Sequence, residues 1–185
     1  MRINEAIVLA AGASKRLGSS KALVEVKGQT LIELVCSKLQ NAGLLATVIT
    51  RNSLKTKIQD LLPNVRIIAN PNPELGRTGT IQYGIESIGI KPMLIVPVDR
   101  PGFSLDTVKK LCECNDTTIP TLNEKGGHPI AISTEDCENI LRAEPDTPLH
   151  ELINPVRITV EDPHLHLNID TDGDVIELIK VAKYL

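Results

Sequence analysis

Ala6-Ile7-Val8-Leu9-Ala10-Ala11-Gly12-Ala13-Ser14-Lys15-Arg16-Leu17-Gly18-Ser19-Ser20-Lys21 passes from an apolar run straight into small residues and cations. The run over 6–9 reads as a buried strand that ends in a tight turn. Small turn residues let backbone N–H groups approach a ligand closely. Lys15, Arg16 and Lys21 add positive charge within the same loop, a combination suited to a polyphosphate. Two common phosphate loops are excluded. A Gly-x-x-x-x-Gly-Lys-Ser/Thr loop counted from Gly12 needs glycine where Leu17 stands. A Gly-x-Gly-x-x-Gly fingerprint needs glycine where Ser14 stands.

Outward from that loop, apolar strands alternate with helical periodicity. Thr30 caps an expected helix over 31–42 that Gly43 ends, and a strand follows over 44–50. A helix over 54–62 stops at Pro63, and Val65 to Ala69 form the next strand. Residues 78–88 read as a helix, 93–98 as a fully buried strand, and Ser104 caps a helix reaching about 113. Further on, strands are expected at 117–121, 129–133, 156–160 and 164–169, with helices at 134–142, 147–153 and 172–183. This alternation predicts a single-domain α/β fold over 1–185, with a mostly parallel central sheet flanked by helices and an antiparallel portion from the late strands.

At 42% hydrophobic residues the chain can build a sizeable core, although only 2% are aromatic. Base-stacking platforms for single-stranded nucleic acid are therefore not expected. A net charge of −3 argues against a general nucleic-acid binder. The cations are local, which suits a small anionic ligand. Neither a secretory apolar core nor a membrane-length apolar run is present, so a cytoplasmic protein is expected. Cys112-x-Cys114 lacks the usual zinc spacing and no second pair completes a site, so most of Cys36, Cys112, Cys114 and Cys137 are expected as free buried thiols.

Ligand sites in open parallel sheets lie beyond the carboxyl ends of strands. Asp99 occupies that position after Val96-Pro97-Val98. A carboxylate there must be solvated, paired or metal-bound, and Mg²⁺ takes carboxylate oxygen together with nucleotide phosphates. Asn70-Pro71-Asn72-Pro73-Glu74-Leu75-Gly76-Arg77-Thr78-Gly79-Thr80 is a rigid loop opening a helix, whose N-terminus favours anions. Gly126-Gly127-His128-Pro129 holds an imidazole able to donate a hydrogen bond. In the expected last strand, Asn168 and Asp170 fall on one face, where either completes a metal site opposite Asp99. An EF-hand fails here for want of the Glu at its twelfth position, and His164-x-His166 lacks a third ligand.

Leu9-Ala10-Ala11-Gly12-x-Ser14-x-Arg16-Leu17-Gly18-x-x-Lys21 resembles the signature of the MobA-like nucleotidyltransferases, which make the dinucleotide forms of molybdenum cofactor. Asp99-Arg100-Pro101 resembles that family's Asp-Gln-Pro motif, with Arg100 departing from it. The 70–81 loop, the Gly127-His128-Pro129 triplet and the Asn168-Ile169-Asp170-Thr171 stretch resemble further elements. Arg77, Thr78 and Gly173 replace more usual residues, and Asp146 keeps the Asp, without the glycines, of a Gly-Asp-x-Gly element.

The resemblance implies a nucleotide-diphospho-sugar-transferase-like fold and transfer of NMP from an NTP to a phosphorylated acceptor of the molybdopterin type, with release of pyrophosphate. It implies Arg16, Lys21 and Asp99 as catalytic residues. Nucleotide binding falls to Leu9, Ala10, Ala11, Gly12, Ser14, Arg16, Lys21, Asn70, Gly79 and Thr80, and acceptor binding to Arg77, Thr78, Arg100 and His128. Mg²⁺ would sit on Asp99 with Asp170 or Asn168. A molybdoenzyme or its chaperone is the implied protein partner, with no nucleic acid and no membrane. Leu-Ala-Ala-Gly resembles the cytidylyl branch, so CTP is expected in preference to GTP. Two alternatives share these features: a sugar-phosphate or alditol-phosphate nucleotidyltransferase, and a nucleotide-binding regulator without transfer activity.

Overall fold

The computed structural model describes residues 2–12, 17–18 and 20–185. Its elements are β1 (Glu5–Ala10), β2 (Glu25–Val26), β3 (Gln29–Thr30), α1 (Leu31–Asn41), β4 (Leu45–Arg51), α2 (Asn52–Leu61), β5 (Arg66–Asn70), α3 (Gly76–Ile88) and β6 (Met93–Pro97). They continue with α4 (Leu105–Cys112), β7 (Thr118–Leu122), β8 (Lys125–Gly126), β9 (Ile130–Ile132), α5 (Thr134–Arg142), α6 (Leu149–Leu152), β10 (Val156–Thr159) and α7 (Asp172–Val181). Among the described residues, eight strands form one sheet in the order β10-β7-β9-β6-β1-β4-β5, with β8 paired to β7. β1 is parallel to both β4 and β6, and β4 to β5. The antiparallel portion is β9, against β6 and β7, and β8.

Alternation along β1 divides its side chains between two cores. Ala6 and Val8 pack with the buried residues of α1, α4 and α7, whereas Ile7 packs with Ile81, Ile85 and Ile140 of α3 and α5. The sheet is thus the middle of three layers, and its core is aliphatic, with Phe103 as its aromatic member. Local chemistry sets the ends of α1. Thr30 accepts from the Glu33 amide while the Glu33 carboxylate accepts from the Thr30 amide, and Gly43 (φ 81°) turns the chain out. Gly84 lets α3 lie directly on β1, since a Cβ there would stand 2.8 Å from the Ile7 side chain.

Two expectations are corrected, and one element lies outside them. Residues 164–169 are not a strand: Leu165 N–H bonds the Asp162 carbonyl and Leu167 N–H the His164 carbonyl, so the segment coils through turns. It packs over the 99–104 loop instead of pairing with a strand. The helix expected over 147–153 shrinks to α6, because Pro148 has no N–H to continue a helix and sits ahead of its first turn. The small β2–β3 hairpin, turned by Lys27 (φ 50°) and Gly28 (φ 82°), has no counterpart in the sequence reading.

Candidate functional site

β1 and β6 lie side by side, with Leu9 opposite Pro97. From β1 the chain runs to β4 and β5 on one side and to β6 on the other. The connection reverses here, and an open parallel sheet has its ligand crevice at such a reversal. A cavity of about 480 Å³ opens at these strand ends, lined by Leu9, Ala10, Ala11, Gly12, Lys21 and Thr80, and by Asp99 and Asp170. Beside it a larger cavity of about 890 Å³ carries Thr78, Gly127 and His128 on its wall, with an otherwise largely aliphatic lining. Leu9, Gly76, Arg77 and Pro97 border both. The N-terminus of α3, starting at Gly76, places its positive end at that shared wall.

Lys21 stands at the centre. Its Nζ donates to Asp99 Oδ2 at 2.8 Å and also to Asp170 Oδ1. The Lys21 and Asp99 side chains are each 16% exposed and Asp170 35%. Burial disfavours the ammonium, but the hydrogen bonds to Asp170 and Asp99 outweigh it, and the lysine pKa is raised. Asn168 Nδ2 donates to the far oxygen of Asp170 and so buttresses it. A neighbouring backbone link brings Asp170 to Asp99, because Ile169 N–H donates to the Asp99 carbonyl at 3.0 Å.

That link belongs to a longer strap. Ser104 N–H bonds Asp162 Oδ2 at 2.9 Å, and a Cβ on Gly102 would meet the His164 carbonyl oxygen at 1.7 Å. Only glycine lets residues 162–170 pass so close. From below, buried Lys38 donates to the Pro101 and Phe103 carbonyls at 2.7 and 2.9 Å and lies over the Phe103 ring. Burial pulls its pKa down to about 8, partly offset by Asp162. On the other flank Thr50 Oγ1 bonds the Ala10 carbonyl and Arg51 the Gly12 carbonyl, fixing the start of the glycine loop. Lys38, Thr50 and Arg51 escaped the sequence reading. They act on backbone carbonyls, and no motif marks that role.

Of the expected acceptor residues, Arg77, Thr78 and His128 line the larger cavity, whereas Arg100 lines neither cavity and reaches His128 through its charge. Burial, then the Arg100 and Arg77 charges, push the His128 pKa down to about 4 against a smaller opposing effect of Asp99. His128 is therefore neutral at pH 7 and available as a hydrogen-bonding group. Thr78 Oγ1 donates to the Thr147 carbonyl at 2.6 Å, which ties the 144–150 loop to α3. Two residues expected at the nucleotide lie off the cavity walls. Asn70 is buried, bonding Thr80 and the Asn72 amide, and Gly79 packs on Leu75 and Pro145 while its N–H bonds the Pro145 carbonyl. Both shape the loop instead of lining it. Ser14 and Arg16 fall outside the described residues.

The donor chemistry fits one hard divalent cation. Asp99 and Asp170 converge on a single cationic group, and Mg²⁺ typically takes one or two carboxylates plus phosphate oxygens. Among the described residues no group of three or more His, Cys, Asp or Glu side chains gathers. His164 and His166 diverge, to the Tyr184 ring and the Lys125 carbonyl. Asp174 caps α7 with Thr171, and its Oδ2 also accepts from the Asp170 amide at 3.0 Å, which helps hold the Asp170 backbone in place. No disulfide joins any of the four cysteines. No helix among the described residues is long and apolar enough to cross a membrane.

Comparison with known proteins accords with this geometry. A family model described as the MobA-like NTP transferase domain matches residues 6–162. A probable molybdenum cofactor guanylyltransferase of Bacillus cytotoxicus is 33% identical over 107 residues, 57% of this chain and 53% of that protein. The chain thus spans about half the length of the curated relatives it matches. A nucleotidyl transferase from Methanothermobacter superposes with a TM-score of 0.78 at 19% identity, covering 95% of each chain. Molybdopterin-guanine dinucleotide biosynthesis protein A from Archaeoglobus fulgidus gives 0.73 at 18%, covering 98% of this chain and 100% of that one. These two likenesses establish the fold.

Proposed function

The chain belongs to the MobA-like NTP transferase family, and on that premise we infer that it transfers a guanylyl group from GTP to a phosphorylated acceptor of the molybdopterin type, releasing pyrophosphate. The observation that carries this reading is the convergence of Asp99 and Asp170 on Lys21 beside the Ala10–Gly12 loop. The guanylyltransferase names of the curated relatives support GTP as donor. The CTP preference expected from Leu9-Ala10-Ala11-Gly12 finds no support among them.

In this reading an acceptor phosphate oxygen attacks the α-phosphorus of the triphosphate and pyrophosphate leaves from the opposite side. The chain contributes position and charge rather than covalent chemistry. The smaller cavity receives the triphosphate against the glycine loop, and the larger one receives the acceptor. Arg77, at their shared wall, faces both phosphates. Lys21 and Arg16 stabilise charge that grows on the leaving pyrophosphate. His128, neutral, and Arg100 orient the acceptor. Asp99 and Asp170 would hold Mg²⁺, which when bound supplies positive charge to the phosphate oxygens.

The test is pyrophosphate release from each of the four nucleoside triphosphates with Mg²⁺, with and without molybdopterin. Release that requires molybdopterin and is fastest with GTP is expected. Fastest release with CTP would move the chain to the cytidylyl branch. Release with a sugar or alditol phosphate but not with molybdopterin would replace the acceptor, and no release with any pair would leave a binding protein.

A further inference from the structure

Lys21 is engaged with the very carboxylates that the reaction needs for its cation. Its ammonium stands 2.8 Å from Asp99 Oδ2 and bonds Asp170 Oδ1 at the same time. A Mg²⁺ ion bridging Asp99 Oδ2 and Asp170 Oδ1 would come within about 2.1 Å of both oxygens, in the space this ammonium fills. The two cations cannot share the position: they would overlap and repel. Yet Lys21 is also the cation of the glycine loop, and it lines the same small cavity as Ala10, Ala11 and Gly12. Its backbone stands at the start of a short 3₁₀ turn, Lys21–Leu23, and its long side chain has the rotatable bonds to change partner.

We propose that Lys21 and the divalent cation occupy the Asp99–Asp170 pair in turn: in the free protein the ammonium seals the pair, and an incoming triphosphate draws Lys21 away and opens it to the metal. The proposal rests on the function inferred above and adds a coupling to it. Without nucleotide, the lysine competes with the ion. With nucleotide, the displaced ammonium gains phosphate oxygens while the ion gains both carboxylates and phosphate. Metal and nucleotide therefore bind with positive coupling, which acts equally on both affinities. The lysine also keeps the two carboxylates together and satisfied in the resting protein, where like charges facing each other would be costly.

Mn²⁺ serves as a paramagnetic probe for the pair, its free concentration read by electron spin resonance. Affinity is measured for wild type, Lys21→Met, Lys21→Gln, Lys21→Arg and Asp99→Asn, each with and without guanosine α,β-methylene triphosphate, and folding is checked by circular dichroism. Without nucleotide, Lys21→Met or Lys21→Gln should bind Mn²⁺ at least tenfold more tightly than wild type. Lys21→Arg, which keeps the charge, should stay weak, and Asp99→Asn should lose the site. The analogue should tighten Mn²⁺ binding to wild type at least tenfold, and to the uncharged variants by several-fold less. Should wild type bind Mn²⁺ with the analogue while the folded uncharged variants are no tighter than wild type without it, the exchange is overturned and the function stands. Absence of Mn²⁺ binding in every combination overturns the metal role and the exchange together.

Discussion

His128 sits beside two guanidiniums, and burial with the Arg100 and Arg77 charges lowers its pKa to about 4. Its unfolded value is about 6.5. Between those values the unfolded chain binds the additional proton, so stability contributed at neutral pH is lost as pH falls from about 6.5 toward 4. Urea unfolding of wild type and His128→Asn across that window should show the wild type losing roughly 3 kcal/mol more; parallel curves would mean that the imidazole titrates normally. Arg16 belongs to the same scale. A folded Arg16→Ala protein should lose transfer rate equivalent to about 2–4 kcal/mol of transition-state stabilisation with little change in melting temperature. Unchanged turnover would remove Arg16 from the mechanism. Asp99 and Lys21 were legible in the sequence because each stands at a strand end or in a glycine loop, where a charged side chain needs a partner. Lys38 was not, since an amphipathic helix tolerates a lysine at its boundary and nothing local reveals the two carbonyls above it.

At the scale of elements, the strap over residues 162–170 decides whether the site exists. It joins the 99–104 loop through the Ile169 and Ser104 amides and threads past Gly102. Gly102→Ala drives a methyl group into the His164 carbonyl. We expect a loss of about 1–3 kcal/mol in urea unfolding, the range for overpacking, together with weaker Mn²⁺ binding as Asp170 withdraws from Asp99. A variant with wild-type stability and wild-type Mn²⁺ affinity would show that the strap does not position the pair. Here the sequence misled. His164-Leu165-His166-Leu167-Asn168-Ile169 alternates like a strand, yet Leu165 and Ile169 are the buried members, four apart, and turn bonds satisfy the backbone between them. The pairing of Asp170 with Asp99 survived that error. It depends on the Ile169–Asp99 backbone link and the shared Lys21 ammonium rather than on a strand face.

For the molecule as a whole, alternating strands and helices announced a layered α/β fold, because hydrophobic period and caps are local signals. The order of strands was not readable, since pairing joins segments far apart in sequence. The reversal at β1, which creates the crevice, follows from that order. A ligand bound across β1, β6 and α3 should stabilise the entire domain. With Mg²⁺ present, GTP at about 100 times its dissociation constant should add about 2.7 kcal/mol, raising the melting temperature by about 5–10 °C for a domain of this size. Stronger protection by CTP would reverse the donor assignment. The role inferred for Asp99 and Asp170 is that of a metal-dependent transfer centre. It is tested most directly by pyrophosphate release from GTP with molybdopterin and Mg²⁺ in wild type and Asp99→Asn, beside GTP affinity measured without metal. Asp99→Asn should keep its fold and its metal-free affinity for GTP while release falls at least a hundredfold. Release at the wild-type rate from the folded variant would contradict it.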